Sequence, residues 1–150
     1  MDLDLVFQVC NLGVMPAWAL LVAAPRWAWT QRVVHAVWIP ALLGATYVIF
    51  AVQALGGGGS EGGFGSLGGV TALLSDPTGA LIGWIHFLAF DLFVGAWEAR
   101  DAERHGIPHW QVVPCLALTL MMGPSGLLLY FAIRAAHGAG FSLREAEPAA

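Results

Sequence analysis

Four stretches of this chain are apolar over the length a helix needs to cross a bilayer, and no other feature narrows the possible folds as much. A hydrocarbon core is ~30 Å thick and takes ~20 apolar residues in helical form. The stretches are residues 3–24, 33–55, 77–97 and 112–134. Of the 150 residues, 58% are hydrophobic and 11% charged, against ~45–50% and ~25% in water-soluble domains. Core helices of a soluble bundle would need polar outer faces, and these segments have almost none. The expected fold is therefore all-α: a polytopic membrane protein, one domain of four kinked transmembrane helices. The head Met1-Asp2-Leu3-Asp4 is acidic where a cleavable signal peptide is basic, so the first stretch reads as a retained helix. A formal charge of −4, with no lysine, cannot supply the basic face that phosphate backbones require, which excludes nucleic acid as a partner.

Four crossings place both termini and the loop 56–76 on one side, here side A, and the loops 25–32 and 98–111 on the other, side B. Side B carries Arg26, Arg32, Arg100 and Arg104, and side A only Arg134 and Arg144. The positive-inside rule then makes side B cytoplasmic, with Trp27, Trp29, Trp97 and Trp110 as its interfacial anchors. The glycine-rich loop 56–69 has too little side chain to pack and reads as a flexible connector. It lacks the Lys-Ser/Thr and preceding strand of a phosphate cradle. Residues 69–74 read as a short interfacial helix. Asp76-Pro77 reads as an N-cap followed by proline at the first helical position.

Ionisable groups inside hydrocarbon are costly and point to function. In the third span His86 lies near mid-membrane, and Asp91 lies ~10 Å inside the side-B boundary at Glu98. Trp84, Asp91 and Glu98 are seven apart and share a face, while His86 sits ~140° round the helix from Asp91. Asn11, beside Gln8 in the first span, reaches the depth of His86, and His35 reaches that of Glu98. If these faces converge, Asn11, His86, Asp91, His35 and Glu98 form a polar seam; Asn11 and His86 can equally serve as interhelical hydrogen-bonding groups. Interior prolines at Pro16, Pro40 and in Gly123-Pro124-Ser125-Gly126 bend their helices and can open a chamber. Cys10 and Cys115 are ~20 Å apart by helical rise, beyond disulfide reach, and read as packing thiols. Asp101 and His105 have i,i+4 spacing that can hold a metal. The better reading is a solvated helical extension with pairs such as Glu98 with Arg100 or Arg104, ended by Gly106 and Pro108; no metal is expected.

The run Gly83-Trp84-Ile85-His86-Phe87-Leu88-Ala89-Phe90-Asp91, continued to Trp97-Glu98-Ala99-Arg100-Asp101, with Gly106-Ile107-Pro108, Pro114 and Gly123-Pro124-Ser125-Gly126-Leu127-Leu128, resembles the abscisic-acid-deficient-4-like family. Phe64-Gly65-Ser66-Leu67 and Ser75-Asp76-Pro77 extend the likeness. The resemblance implies a small four-span membrane protein connected with making neoxanthin from violaxanthin, and so a carotenoid-like ligand. That reaction is an isomerisation: an acid serves the epoxide oxygen, a base takes a carbon-bound proton, and no redox cofactor is needed. Asp91 and His86 are the residue types for these catalytic roles, in either order, with Asn11, Trp84, Glu98, Arg100, Asp101 and Pro124 as candidate substrate-binding positions. The chain is short and begins within two residues of its first span, without a transit peptide. A bacterial relative in the inner membrane is therefore expected, acting on a carotenoid, an apocarotenoid such as retinal, or another isoprenoid. A homo-oligomer is compatible with the sequence. The rival readings are a b-type haem held by His35 and His86, whose depths differ by more than two turns, and a non-enzymatic subunit that uses the tryptophan-rich side.

Overall fold

In a computed structural model that describes residues 2–56 and 62–140, the protein is all helical with no strand among the described residues. Helix α1 runs Leu3–Ala23, a π turn Thr30–Val34, α2 Trp38–Gly56, α3 Leu67–Ser75, α4 Pro77–Arg104, α5 His109–Met122 and α6 Pro124–Ala136. The caps follow from the sequence. Asp2 accepts hydrogen bonds from the amides of Asp4 and Leu5, Ser66 from Gly69 at 3.1 Å, and Asp76 from Thr78 and Gly79 at 2.9 and 3.0 Å. Each satisfies donors that a helix start leaves open. In the glycine-rich loop, residues 57–61 lie outside the described residues.

Helix α4 is the spine, packed against α1, α2, α3, α5 and α6. It runs 28 residues, past the expected end at 97, and stops before Gly106, whose φ of +67° suits glycine best. At Gly95 a Cβ would stand 2.7 Å from the buried Trp18 ring, so the missing side chain sets how closely α1 approaches. In lipid, helices adhere by such close packing and by hydrogen bonds rather than by burying apolar surface. The outer surfaces remain greasy: Val37, Trp38 and Leu42 of the second span, Phe87 and Phe90 of α4, and Met121 and Leu128 beyond are all exposed. Such surface is tolerable in lipid and not in water.

Two expectations need correcting. The second span does not begin as one helix at residue 33, because the π turn and a bend over residues 35–37 precede α2. Pro40 consequently sits in the first turn of α2, where a missing N–H costs little, and is not an interior kink.

The larger correction concerns the expected fourth span, which does not cross. By length and composition three helical segments can traverse a membrane, namely Leu3–Ala23, Thr30–Gly56 and Pro77–Arg104. Helices α5 and α6, of 14 and 13 residues, are each ~20 Å long, short of the ~30 Å required. They are antiparallel. Gly123 has φ +24° and ψ −86°, a conformation L-residues rarely adopt, and Pro124 starts α6 in the opposite direction. A Cβ on Gly126 would overlap the Thr119 hydroxyl and stand 2.5 Å from the Cys115 carbonyl oxygen, positions seven and eleven residues back that only a reversed chain can meet. The pair is a helical hairpin that enters from side B, turns at the level of Asp91 and returns to side B. The Gly-Pro pair was expected to bend the chain; it turns it round, because glycine takes the positive φ while proline fixes the new helix's first residue.

This places Arg134 on side B with Arg26, Arg32, Arg100 and Arg104, so the five arginines among the described residues gather at one end. Trp27, Trp29, Trp38 and Trp110 are exposed there. Trp97, expected to be an anchor, instead packs edge-on against Tyr130 and Phe131 of the hairpin. The topology is directly testable in sealed vesicles with a membrane-impermeant thiol reagent. Trp29→Cys and His137→Cys should label from the same face and Gly65→Cys from the opposite one. Labelling of His137→Cys together with Gly65→Cys would restore a fourth crossing.

Candidate functional site

The polar residues of α4 divide between two faces. One looks toward α2 and α3, where a cavity of about 660 Å³ lies between these helices. Tyr47 and Phe50 of α2, Val70 and Leu73 of α3, and Ile82 and Gly83 of α4 are among its walls, and His86 lies on its border. Counting in from the Asp76 cap puts His86 at the inner end of this space, near mid-membrane. The imidazole lies 4.5 Å from the Phe90 ring and 6.1 Å from the Tyr47 ring, centroid to centroid.

The other face lies under the hairpin. The Asp91 carboxylate sits against the turn: a Cβ on Gly123 would stand 2.7 Å from Oδ1. Glycine is thus favoured at 123 by its φ, and its missing side chain leaves room for the carboxylate to lie this close. Between His86 and Asp91 the helix presents Phe87 and Phe90, both exposed, because the hairpin ends at Asp91 and leaves that strip of α4 open to lipid. His86 and Asp91 thus flank an uncovered aromatic strip, separated by ~7.5 Å along the axis.

Further along, the hairpin buries what the sequence suggested was solvated. Glu98 is fully buried, and the Thr119 hydroxyl donates to both its oxygens at 3.0 and 3.2 Å. It pairs with neither of the arginines expected for it. Asp101 is also buried. Its Oδ2 accepts from the Tyr130 hydroxyl at 2.6 Å and from Arg134 Nε at 2.7 Å. His105 Nδ1–H donates to the Asp101 carbonyl oxygen at 2.8 Å, and Arg134 Nη2 reaches His105 Nε2 at 3.4 Å. The expected solvated extension is thus half correct, because α6 covers the face bearing Glu98 and Asp101 and leaves Glu103 outside, where it pairs with Arg26 at 3.2 Å.

The other candidates fall elsewhere. Asn11 Oδ1 accepts from Trp84 Nε1 at 3.2 Å, a bond between α1 and α4. Arg100 Nη1 meets His35 Nδ1 at 3.1 Å on the α2 side. That contact lies ~21 Å along α4 from His86, so His35 and His86 cannot share a haem. Pro124 opens α6 beside the turn on Asp91. Thr119, Gly123, Tyr130 and Arg134 were not singled out by the sequence. The usable signals were a Gly-Pro pair at the middle of the last apolar stretch, and Tyr130 with Arg134 at i,i+4 on an otherwise apolar helix.

Removing a partner from a buried ion pair strands the other charge and costs ~3–5 kcal/mol, whereas losing one of several hydrogen bonds costs ~1 kcal/mol. Arg134→Leu should therefore destabilise the protein far more than Tyr130→Phe, as read from unfolding in mixed micelles. Equal losses would show that Asp101 does not depend on the ion pair.

A family model described as ABA DEFICIENT 4-like matches residues 5–130, from α1 through the first half of α6. No curated protein and no solved structure matches the chain. A match over this much of the chain, with the buried face of α4 and the hairpin turn inside it, makes the protein a member of the ABA DEFICIENT 4-like family.

Proposed function

We propose that the protein binds a carotenoid-like polyene or related isoprenoid within the bilayer and isomerises it by acid–base chemistry at His86 and Asp91. The observation that carries this reading is the apolar chamber with an imidazole at its inner, mid-membrane end. Its volume of about 660 Å³ lies within the usual range of ~300–1,000 Å³ for small-molecule sites. Its walls are mainly aromatic and aliphatic, with Gln53, Asp76 and Thr78 among them, and suit a conjugated chain with a polar end. Family membership relates the protein to carotenoid synthesis. The ligand's chain lies between α2, α3 and α4, and its reacting end passes His86 onto the Phe90 strip toward Asp91.

At that end one group of the pair gives a proton to an epoxide oxygen while the other takes a proton from the neighbouring carbon. The C–O bond breaks, the electrons of the C–H bond become a new carbon–carbon π bond, and the product is an isomer. Nothing is oxidised or reduced. Gly123 and Pro124 hold the hairpin tip against Asp91. Asn11 and Trp84 tie α1 to α4 at the depth of the chamber, while Glu98, Arg100 and Asp101 act further along the same helix as positioning groups. The membrane is a bacterial inner membrane with the arginine-rich end in the cytoplasm, as the positive-inside rule directs.

Chromatography of lipids and pigments extracted from freshly purified protein should yield a stoichiometric polyene or isoprenoid. Asp91→Asn and His86→Gln should retain it and lose turnover by ~10²–10⁴-fold, the usual worth of a positioned acid or base. Purified protein without such a ligand, or full conversion by Asp91→Asn, would overturn the assignment.

A further inference from the structure

Glu98 has no part in the chemistry at the chamber, yet it is the most deeply buried carboxyl among the described residues, at 0% exposure. Holding a carboxyl inside hydrocarbon costs several kcal/mol, and its hydrogen-bonding partner here is a threonine hydroxyl. A glutamine would make that bond equally well. The tie between hairpin and spine does not need the acid either, because Asp101, Tyr130 and Arg134 already supply it. What distinguishes glutamic acid from glutamine at this position is the capacity to take up and release a proton.

Its placement gives that capacity a use. Counted at 100° per residue, Asp91, Glu98 and Asp101 fall within ~80° of one another on α4, Glu98 lying ~10.5 Å from Asp91 and ~4.5 Å from Asp101 along the axis. Glu98 and Asp101 lie buried under the hairpin, and Asp91 lies half-buried at its tip. Thr119 is one helical turn from Gly123, which lies against Asp91, so along α5 Thr119 falls at a depth between Asp91 and Glu98, whose carboxyl its hydroxyl meets. The titratable and charged groups around Glu98 are Cys115 of α5, Tyr130 and Arg134 of α6, and Asp101 of its own helix. At the outer end Asp101 Oδ1 lies 3.5 Å from His105 Nδ1, whose side chain is 30% exposed. The column therefore runs from side-B water to mid-membrane.

We propose that Glu98 relays protons between Asp91 and the aqueous phase at the arginine-rich end, by way of Thr119 on its inner side and Asp101 on its outer side. The proposal rests on Asp91 acting as a proton-transfer group. An acid–base isomerisation leaves its donor one proton short and its acceptor one proton over; the relay resets Asp91, and His86 exchanges the opposite proton through the cavity that it borders. Each transfer moves one proton between titratable groups of the column, and no electron or co-reactant is involved. Glu98 is thereby a positioning and relay residue that never touches the ligand.

The test uses the full-length protein reconstituted without added ligand. Infrared spectroscopy follows deuterium entering the Asp91 carboxyl after transfer to heavy water, that signal being the carboxyl band that Asp91→Asn abolishes. Glu98→Gln, which keeps the bond to Thr119, should slow the exchange roughly a hundredfold without altering the fold. Thr119→Val, which leaves Glu98 in place without its inner donor, should slow it as well. Unchanged exchange in Glu98→Gln, or no carboxyl band sensitive to Asp91→Asn, overturns the relay. Because the measurement needs no substrate, exchange that depends on Glu98 in a protein that never converts a polyene would keep the relay and discard the isomerase.

Discussion

The ion pair between Asp101 and Arg134 decides the architecture. A guanidinium on a short apolar helix has to reach either water or a carboxylate, and here Nε meets Oδ2 at 2.7 Å with the Tyr130 hydroxyl on the same oxygen. In a low-dielectric interior such a bidding of two donors for one acceptor is strong and directional. It fixes α6 parallel to α4, and so fixes the return of the chain to the side it came from. From that follow the depth of the turn, the contact of Gly123 with Asp91, and the covering of Glu98. Gly126 completes the arrangement by letting α6 lie directly on the backbone of α5.

With the hairpin in place, α4 acts as a partition. One side faces an apolar chamber with an imidazole at its inner end; the other faces a column of carboxyls sheathed by protein. The two meet at the strip of Phe87 and Phe90, where covering by helices is incomplete. The imidazole and the carboxyls are thereby set on different faces of one helix, and come together only at the level of the turn.

Much of this could be read from the residues. The apolar stretches, the Asp76-Pro77 start and the Gly106-Pro108 stop are local signals whose physics is complete within a few residues, and the helices follow them. The family, too, is carried by contiguous motifs. The course of the last apolar stretch could not be read in this way. Hydropathy counts apolar residues and is blind to a reversal, which shows only in a glycine at positive φ, a glycine pressed on a backbone seven residues earlier, and an arginine that meets an aspartate from a different helix. These are pairings between distant positions. The same blindness put Glu98 and Asp101 in water, since nothing local announces that α6 will cover them. Of the candidate site, the residues on α4 were legible because a single helix sets their angles and depths; their partners Thr119, Gly123, Tyr130 and Arg134 were not.

The hairpin that stops halfway leaves a notch in the protein's outer wall, open to acyl chains at the level of Phe87 and Phe90. A hydrophobic compound can enter or depart there by lateral diffusion, never passing through an aqueous phase. Its effective concentration is then its mole fraction in the surrounding lipid, so occupancy follows the ratio of ligand to phospholipid and is diluted by adding empty bilayer at constant volume.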